Sequence, residues 1–294
     1  MGGTMQKNIL AVILTSALTL SVSGFAFGAN IADIVKTGPG NSGTINQTGD
    51  WLAGYITQTS TPDSGAPGTP SGGNAATINQ MGLHHYACVS QTALAYSGGH
   101  LATVDQSGGN GNWAHLEQYG HDVMSAGLEQ IGHSNLADIW SYRNGGTTDI
   151  YQKGDENRAY QSRDGANCNT LIEQVGNLNL ATQDIGIGTP PGNSSFQACQ
   201  YGNSNVAEQD MYGSSWGFAP SENHGTITQD GDGNYGFQQI EGGSAGNPDA
   251  VDNYAELIQT GSHNGSSQSQ SGSGHRSTVT QTGDWNTSSV TQSN

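Results

Sequence analysis

From residue 34 to residue 292 the chain alternates apolar and polar positions in short bursts, each cut by a glycine. The commonest burst is an aliphatic residue, any residue, Gln, any residue, Gly. Its Gln stands at Gln47, Gln80, Gln106, Gln130, Gln152, Gln174, Gln200, Gln229, Gln259 and Gln281. Two residues earlier come Ile45, Ile78, Val104, Leu128, Ile150, Ile172, Ala198, Ile227, Leu257 and Val279, and two later a Gly every time. Five residues after the Gln, Asn recurs at Asn135, Asn157, Asn179, Asn205, Asn234, Asn264 and Asn286. Gly is 45 of 294 residues, too few for composition alone to place one there in every row. A fixed period of this kind marks stacked repeats.

Aliphatic-x-Gln is a period-two pattern, so both residues share one face of a strand. Gly at +2 and Asn at +5 are residues that turn a chain tightly and tolerate positive φ. A small residue follows at +7 (Ala87, Ala137, Ala159, Ala181, Ala207), and some repeats close on a second such pattern, Ile56-Thr57-Gln58 and Val290-Thr291-Gln292. Each repeat therefore reads strand, turn, strand, with +5, +7, +9 and +11 facing inward. The predicted fold is all-β, a parallel solenoid with two strands per coil. The base period is 22, as from Gln130 to Gln152 to Gln174. Extra residues fall mainly after +11, within 61–75, 92–101, 186–196, 212–225 and 241–252, which puts the long loops on one edge. The third row departs from this, with one extra residue between Gln106 and Gln118. A half-repeat precedes the first row, with Lys36 in the Gln slot and Asn41 and Gly43 after it. Ten rows and a half at ~4.8 Å each give a stack of about 50 Å.

The phrase resembles the curlin repeat, Gln-x-Gly-x-x-Asn-x-Ala-x-x-x-Gln, over nearly all of residues 34–292. Gln281–Gln292 and Gln47–Gln58, the latter with Leu52 in the Asn slot, are the fullest matches. The resemblance implies a secreted subunit that polymerises into an extracellular functional amyloid of a biofilm matrix. By the same resemblance its partners are further copies of itself, with a nucleator subunit and an outer-membrane secretion pore as additional candidates. The middle rows depart from the phrase: Gln moves to +9 (Gln161, Gln183, Gln209, Gln238) and Ile185, Met211 and Ile240 take +11. Arg163 at +11 fits neither pattern.

Residues 1–28 read as a secretory signal: Lys7, an apolar run from Ile9 to Val22, then small residues to Gly28. Residues 29–46 form an N-terminal segment with the half-repeat, and 47–294 the solenoid. The apolar run is too short to span a membrane, and no second one follows. The net charge is −17, which argues against nucleic acid or an anionic membrane as partner. With 33% hydrophobic and 11% charged residues, a globular core of ordinary size is not available. Stacked amide ladders and dry apolar columns supply the cohesion instead.

Several motifs tempt a chemical reading. Gly213-Ser214-Ser215-Trp216-Gly217 matches a nucleophile elbow but lacks the strand-to-helix setting that motif needs. Asp230 to Asn234 imitates a calcium loop, yet Tyr235 occupies the position that needs Gly. His84-His85 and His115/His121 are metal-ligand types, but His85 fills an Asn slot. Cys88, Cys168 and Cys199 show no metal spacing; Cys168 and Cys199, on neighbouring rows, are the pair that could bond. No cofactor and no enzymatic activity is expected.

The ends bear on function. The first and last rows share Gln-Thr-Gly-Asp-Trp, at Gln47–Trp51 and Gln281–Trp285, and the sequence leaves no room after row ten for a cap. Bare, like ends suit head-to-tail stacking, with Lys36, Gln47, Trp51, Gln281, Trp285 and Gln292 at the expected interface. The competing reading is a monomeric solenoid that binds a surface or polysaccharide.

Overall fold

A computed structural model describes residues 29–61, 73–94, 99–120, 123–142, 145–164, 167–186, 194–212, 222–241 and 252–293. Among them are 21 strands and no helix. The first five are β1 (Ile31–Thr37), β2 (Ser42–Asp50), β3 (Ala53–Ser60), β4 (Ala75–Leu83) and β5 (Tyr86–Ala93). Next come β6 (Leu101–Asn110), β7 (Trp113–Gly120), β8 (Ser125–Ile131), β9 (Leu136–Tyr142), β10 (Thr147–Lys153) and β11 (Arg158–Asp164). Then follow β12 (Asn169–Val175), β13 (Leu180–Gly186), β14 (Ser195–Tyr201), β15 (Val206–Tyr212) and β16 (His224–Asp230). The last are β17 (Tyr235–Glu241), β18 (Tyr254–Thr260), β19 (Gly265–Ser271), β20 (Arg276–Thr282) and β21 (Thr287–Ser293).

Even-numbered strands form a ten-stranded sheet, and odd-numbered strands an eleven-stranded one. Every pairing joins a strand to the equivalent strand of the next coil, parallel and in register, for example Ile150 to Ile172 and Gln152 to Gln174. The chain is thus a parallel β-solenoid of ten two-strand rows, with β1 as an extra half-row. Lys36 of that half-row lies beside Gln58 in the eleven-stranded sheet.

The alternation of the sequence sets which faces are dry. Ile45, Ile78, Val104, Leu128, Ile150, Ile172, Ile227 and Leu257 stack in one inner column and face the small residues Ala87, Ala114, Ala137, Ala159, Ala181 and Ala207 of the other sheet. An aliphatic residue opposite a small one lets the two sheets close with little void. The extra residue of the third row is absorbed by a register shift between Met81 and Leu83 of β4 against Ser107 and Asn110 of β6. Between β2 and β3, and at the equivalent point of every row, the link is short. The long connections all lie at the opposite edge, where most of their residues fall outside those described.

Candidate assembly interface

The interior of the ten-stranded sheet is one continuous amide column. Gln47 Nε2 donates to Gln80 Oε1 at 2.9 Å, and the same bond repeats from each Gln to the next as far as Gln259 to Gln281 at 2.8 Å. Each Nε2 also donates to a backbone carbonyl across the core, as Gln152 does to Leu136 O at 3.0 Å. Both amide protons are used, so the buried carboxamides are satisfied. The column has a direction: it ends with acceptors open toward row one and donors open toward row ten.

At the short edge the Asn side chains tie turn to turn. Asn157 N donates to Asn135 Oδ1 (3.1 Å), while Asn135 Nδ2 donates to Gly154 O of the next row (2.7 Å). The pattern continues through Asn179, Asn205, Asn234 and Asn264 to Asn286. Positive φ belongs not to these Asn residues but to the +4 position before them, at Trp51, His84, Ser134, Glu156, Leu178, Ser204, His263 and Trp285. The Asn is selected as a buried double hydrogen-bonder rather than as a turn-former. Gly at +2 answers to two demands. Gly154 has φ +122°, and a Cβ there would lie 1.9 Å from Gly176 O of the row stacked on it. His85 replaces Asn in row two: its Nδ1 accepts from Asn112 N at 3.2 Å, and burial pushes its pKa down.

A second set of turn residues lies at the long edge, and of these the repeat phrase picked out only Asn41. Asn74 N donates to Asn41 Oδ1 at 3.0 Å, His100 N to Asn74 Oδ1 at 2.9 Å, and His275 N to Asn253 Oδ1 at 2.9 Å. These residues stand just before the first strand of a row. The loops of varying length hide their period.

The eleven-stranded sheet changes columns. Gln58, Gln91 and Gln118 bond in series at +11, at 2.9 and 2.8 Å. From row five the ladder runs at +9, through Gln161, Gln183, Gln209, Gln238 and Gln268. Arg163 sits at the switch and is fully buried. Its guanidinium donates to Ser141 Oγ from Nε (3.1 Å), to Cys168 O from Nη1 (3.2 Å), and to Gly145 O. Small residues make the room: Ser141 replaces Gln in the row before, and a Cβ on Gly146 would lie 2.4 Å from Nη1. Arg163 thus fills +11 in the row where Gln161 begins the +9 ladder, next to a row with Gln at neither position; burial lowers its pKa to about 10.

Among the described residues, β20 and β21 are both uncovered at the row-ten end, whereas at the row-one end β2 is uncovered and β1 lies over β3. Trp285 is 74% exposed and Trp51 56%. Each lies against a histidine, Trp285 on His263 with ring centroids 4.4 Å apart and Trp51 on His84 at 6.3 Å. The +3 position forms its own ladder, in which a side-chain oxygen accepts the backbone N–H of the row before. Asp155 Oδ1 takes His133 N at 2.9 Å and Asp284 Oδ1 takes Ser262 N at 2.7 Å. Between rows four and ten this column never sets one Asp directly on another: the order is His133, Asp155, Asn177, Asn203, Asp232, Ser262, Asp284. Gly283 keeps the stacking glycine of every other row, yet a Cβ there would find only Asn286 Nδ2, at 3.8 Å.

The other motifs resolve as parts of the stack. Asp232 and Asn234 of the calcium-like segment are committed to the turn ladders. His115 pairs with Asp138 at 2.8 Å; its expected companion His121 and the Gly213–Gly217 segment lie outside the described residues. No group of three metal-ligand residues occurs among the described residues. The Cys168–Cys199 pairing is corrected: no disulfide forms. Cys168 is level with Ser194, five residues before Cys199 along β14, which separates the two by about 16 Å. Cys199 faces outward on the ten-stranded sheet while Cys168 is interior, and burial raises both thiol pKa values, Cys199 to about 11.

The model of the curlin associated repeat matches residues 251–283, which span β18, β19 and β20. The chain contains a curlin associated repeat there. The matched rows continue into the row before them without a break in register, Gln259 beside Gln229 and Gln281 beside Gln259, so they stack as the other rows do. No curated protein matches the chain.

Proposed function

We propose that the chain is a structural subunit, exported by the signal at residues 1–28, that stacks head to tail into extracellular curli-like amyloid fibres of a biofilm matrix. The observation that carries this reading is the match between row ten, open on both sheets, and row one, open at β2 and overlaid at β3 by the half-row β1 alone. Row ten opens amide donors and row one opens acceptors, in columns whose residues agree position by position. A bare edge of this kind templates another chain unless it is capped or charged. A nucleator subunit and a secretion pore would be the accessory partners. Electron micrographs and fibre diffraction of purified residues 29–294 test the proposal. Unbranched fibres with a reflection near ~4.8 Å along the axis are expected; a stable monomer at all concentrations overturns it. Deleting residues 278–294 exposes row nine, which has Ser262-His263 in place of Asp-Trp, and should slow fibre growth.

One observation favours a second reading, an adhesive face on a monomer. The outer surface of the eleven-stranded sheet gathers Tyr86 and Trp113 (6.0 Å), His115 and Trp140 (5.0 Å), and Tyr119 and Tyr142 (6.3 Å). Sedimentation with insoluble polysaccharide, lost in Trp113→Ala and Trp140→Ala, would support it.

A further inference from the structure

The two sheets hold unequal numbers of strands, eleven and ten among the described residues. A head-to-tail polymer advances both sheets by the same distance per subunit, so it needs equal numbers. If β21 of one copy paired with β1 of the next, β20 and β2 would face each other across two strand spacings, about 9–10 Å, with a strand missing between them. Removing β1 leaves ten and ten. Then β20 meets β2 and β21 meets β3, and every column continues: Gln281 to Gln47, Gln292 to Gln58, Val279 to Ile45, Val290 to Ile56.

The segment from Asn30 to Lys36 already occupies the seat that another copy would take. Leu52 N donates to Asn30 Oδ1 at 3.0 Å, and Asn30 Nδ2 donates to Gly49 O at 2.9 Å. These are the two bonds that Asn264 makes to the following row, taking Asn286 N at 3.0 Å and giving to Gly283 O at 2.8 Å. Ala32, Ile34 and Lys36 then stand where Ser288, Val290 and Gln292 of a preceding copy would stand. The imitation fails at one rung. Lys36 stands beside Gln58, yet its ammonium does not donate to Gln58 Oε1, which is fully buried and has no hydrogen-bond partner. At the other end Gln292 Nε2 donates to Arg276 O at 3.1 Å and, among the described residues, to no further amide. Its second proton is the kind that Gln58, Gln91 and Gln270 each give to the next Oε1.

We propose that Asn30 and β1 form an internal cap that imitates the last half-row of another copy and is expelled when that copy docks, β20 on β2 and β21 on β3. This rests on the fibre reading above and specifies its junction. The cap is one rung poorer than what replaces it, so it covers the edge of a free subunit and yields to a real one.

Two full-length variants test this with fibre elongation from preformed seeds. Val35 and Thr57 are register partners with exposed side chains, so Val35→Cys with Thr57→Cys allows β1 to be locked by oxidation, closure being read by mass. The locked protein should stop elongating and resume on reduction; elongation at the unlocked rate overturns the inference. Lys36→Gln separates the two junctions by sign. It puts an amide of the ladder's own geometry where the ammonium makes no bond to Gln58 Oε1 and so tightens the cap; elongation should slow by about two- to tenfold, the weight of one buried amide bond. If β1 instead stays in the junction, the variant completes the ladder and elongation speeds up, which also overturns the inference. Wild-type chain that forms no fibres removes the fibre reading itself, a result distinct from either variant outcome.

Discussion

The two sheets of the stack solve one problem differently. The ten-stranded sheet keeps a single Gln column from Gln47 to Gln281, whereas the eleven-stranded sheet starts one at +11, drops it after Gln118, and runs another at +9 from Gln161. Where the +9 ladder runs, an aliphatic residue moves to +11, as Ile185, Met211 and Ile240 do. What most rows preserve is therefore one amide and one apolar residue inside each strand, not their order. The order is free to change only where a filler is available, and the buried guanidinium of Arg163 beside Ser141 is that filler. Each column start costs an orphan: Gln58 Oε1, Gln161 Oε1 and Gln270 Oε1 all lack a partner. The unbroken sheet carries no such defect within it.

The largest effect should come from what both sheets share, a dry interior. Ile150→Asp buries an unpaired charge at a position 2% exposed and should cost about 3–5 kcal/mol, enough to prevent folding. Thr103→Asp, on the outer face, should leave circular dichroism and melting nearly unchanged. Next, the columns themselves can be compared by urea unfolding. Gln152→Ala strands a donor on Gln130, an acceptor on Gln174 and the Leu136 carbonyl, at about 3 kcal/mol or more. Gln161→Ala removes a residue already at a column start, and should cost about 1 kcal/mol less. Equal costs would show that column continuity carries no energy.

The switch can be tested by forcing it. Ser141→Gln crowds the guanidinium and should destabilise by about 1–3 kcal/mol. Adding Arg163→Gln, which extends the older column by two rungs, should recover most of that loss in a double-mutant cycle. The smallest effect is on pH. Burial first, then the neighbouring Glu208 and Asp184, raises the Asp210 pKa to about 6. The folded state therefore binds more protons than the unfolded one between about pH 4 and 6. Stability should rise as pH falls through that window and decline as pH rises through 6. Asp210→Asn should flatten this slope in denaturant midpoints measured from pH 4.5 to 7.5.

The row count, the parallel stacking and the inward Gln and aliphatic positions were legible because they are local. A strand of period two, cut by Gly at a fixed distance, states its inner face within five residues, and repeating it ten times leaves one register that buries every Ile and Gln together. Other features were not legible because they depend on residues of neighbouring rows. The repeat phrase marks Arg163 as a misfit; only the Ser141 of the row before and Gly146 at the far edge make it a fit. Neighbouring rows suggested that Cys168 and Cys199 could meet, but their places along the strand set them apart. The positive φ of Trp51 and Trp285 is carried by large aromatic residues that no turn rule would choose. The edge that continues from Asn41 through Asn74 to Asn253 is scattered in sequence by loops of unequal length, so only Asn41 was picked out.

The sequence by itself thus determined the repeating unit, since side-chain alternation and turn chemistry act within one row. Tertiary structure alone decided how rows agree with one another. Which sheet holds ten strands and which eleven, which amide begins a column, and which end strand covers Gln58 follow from contacts between residues twenty or more positions apart, and no single row contains that information.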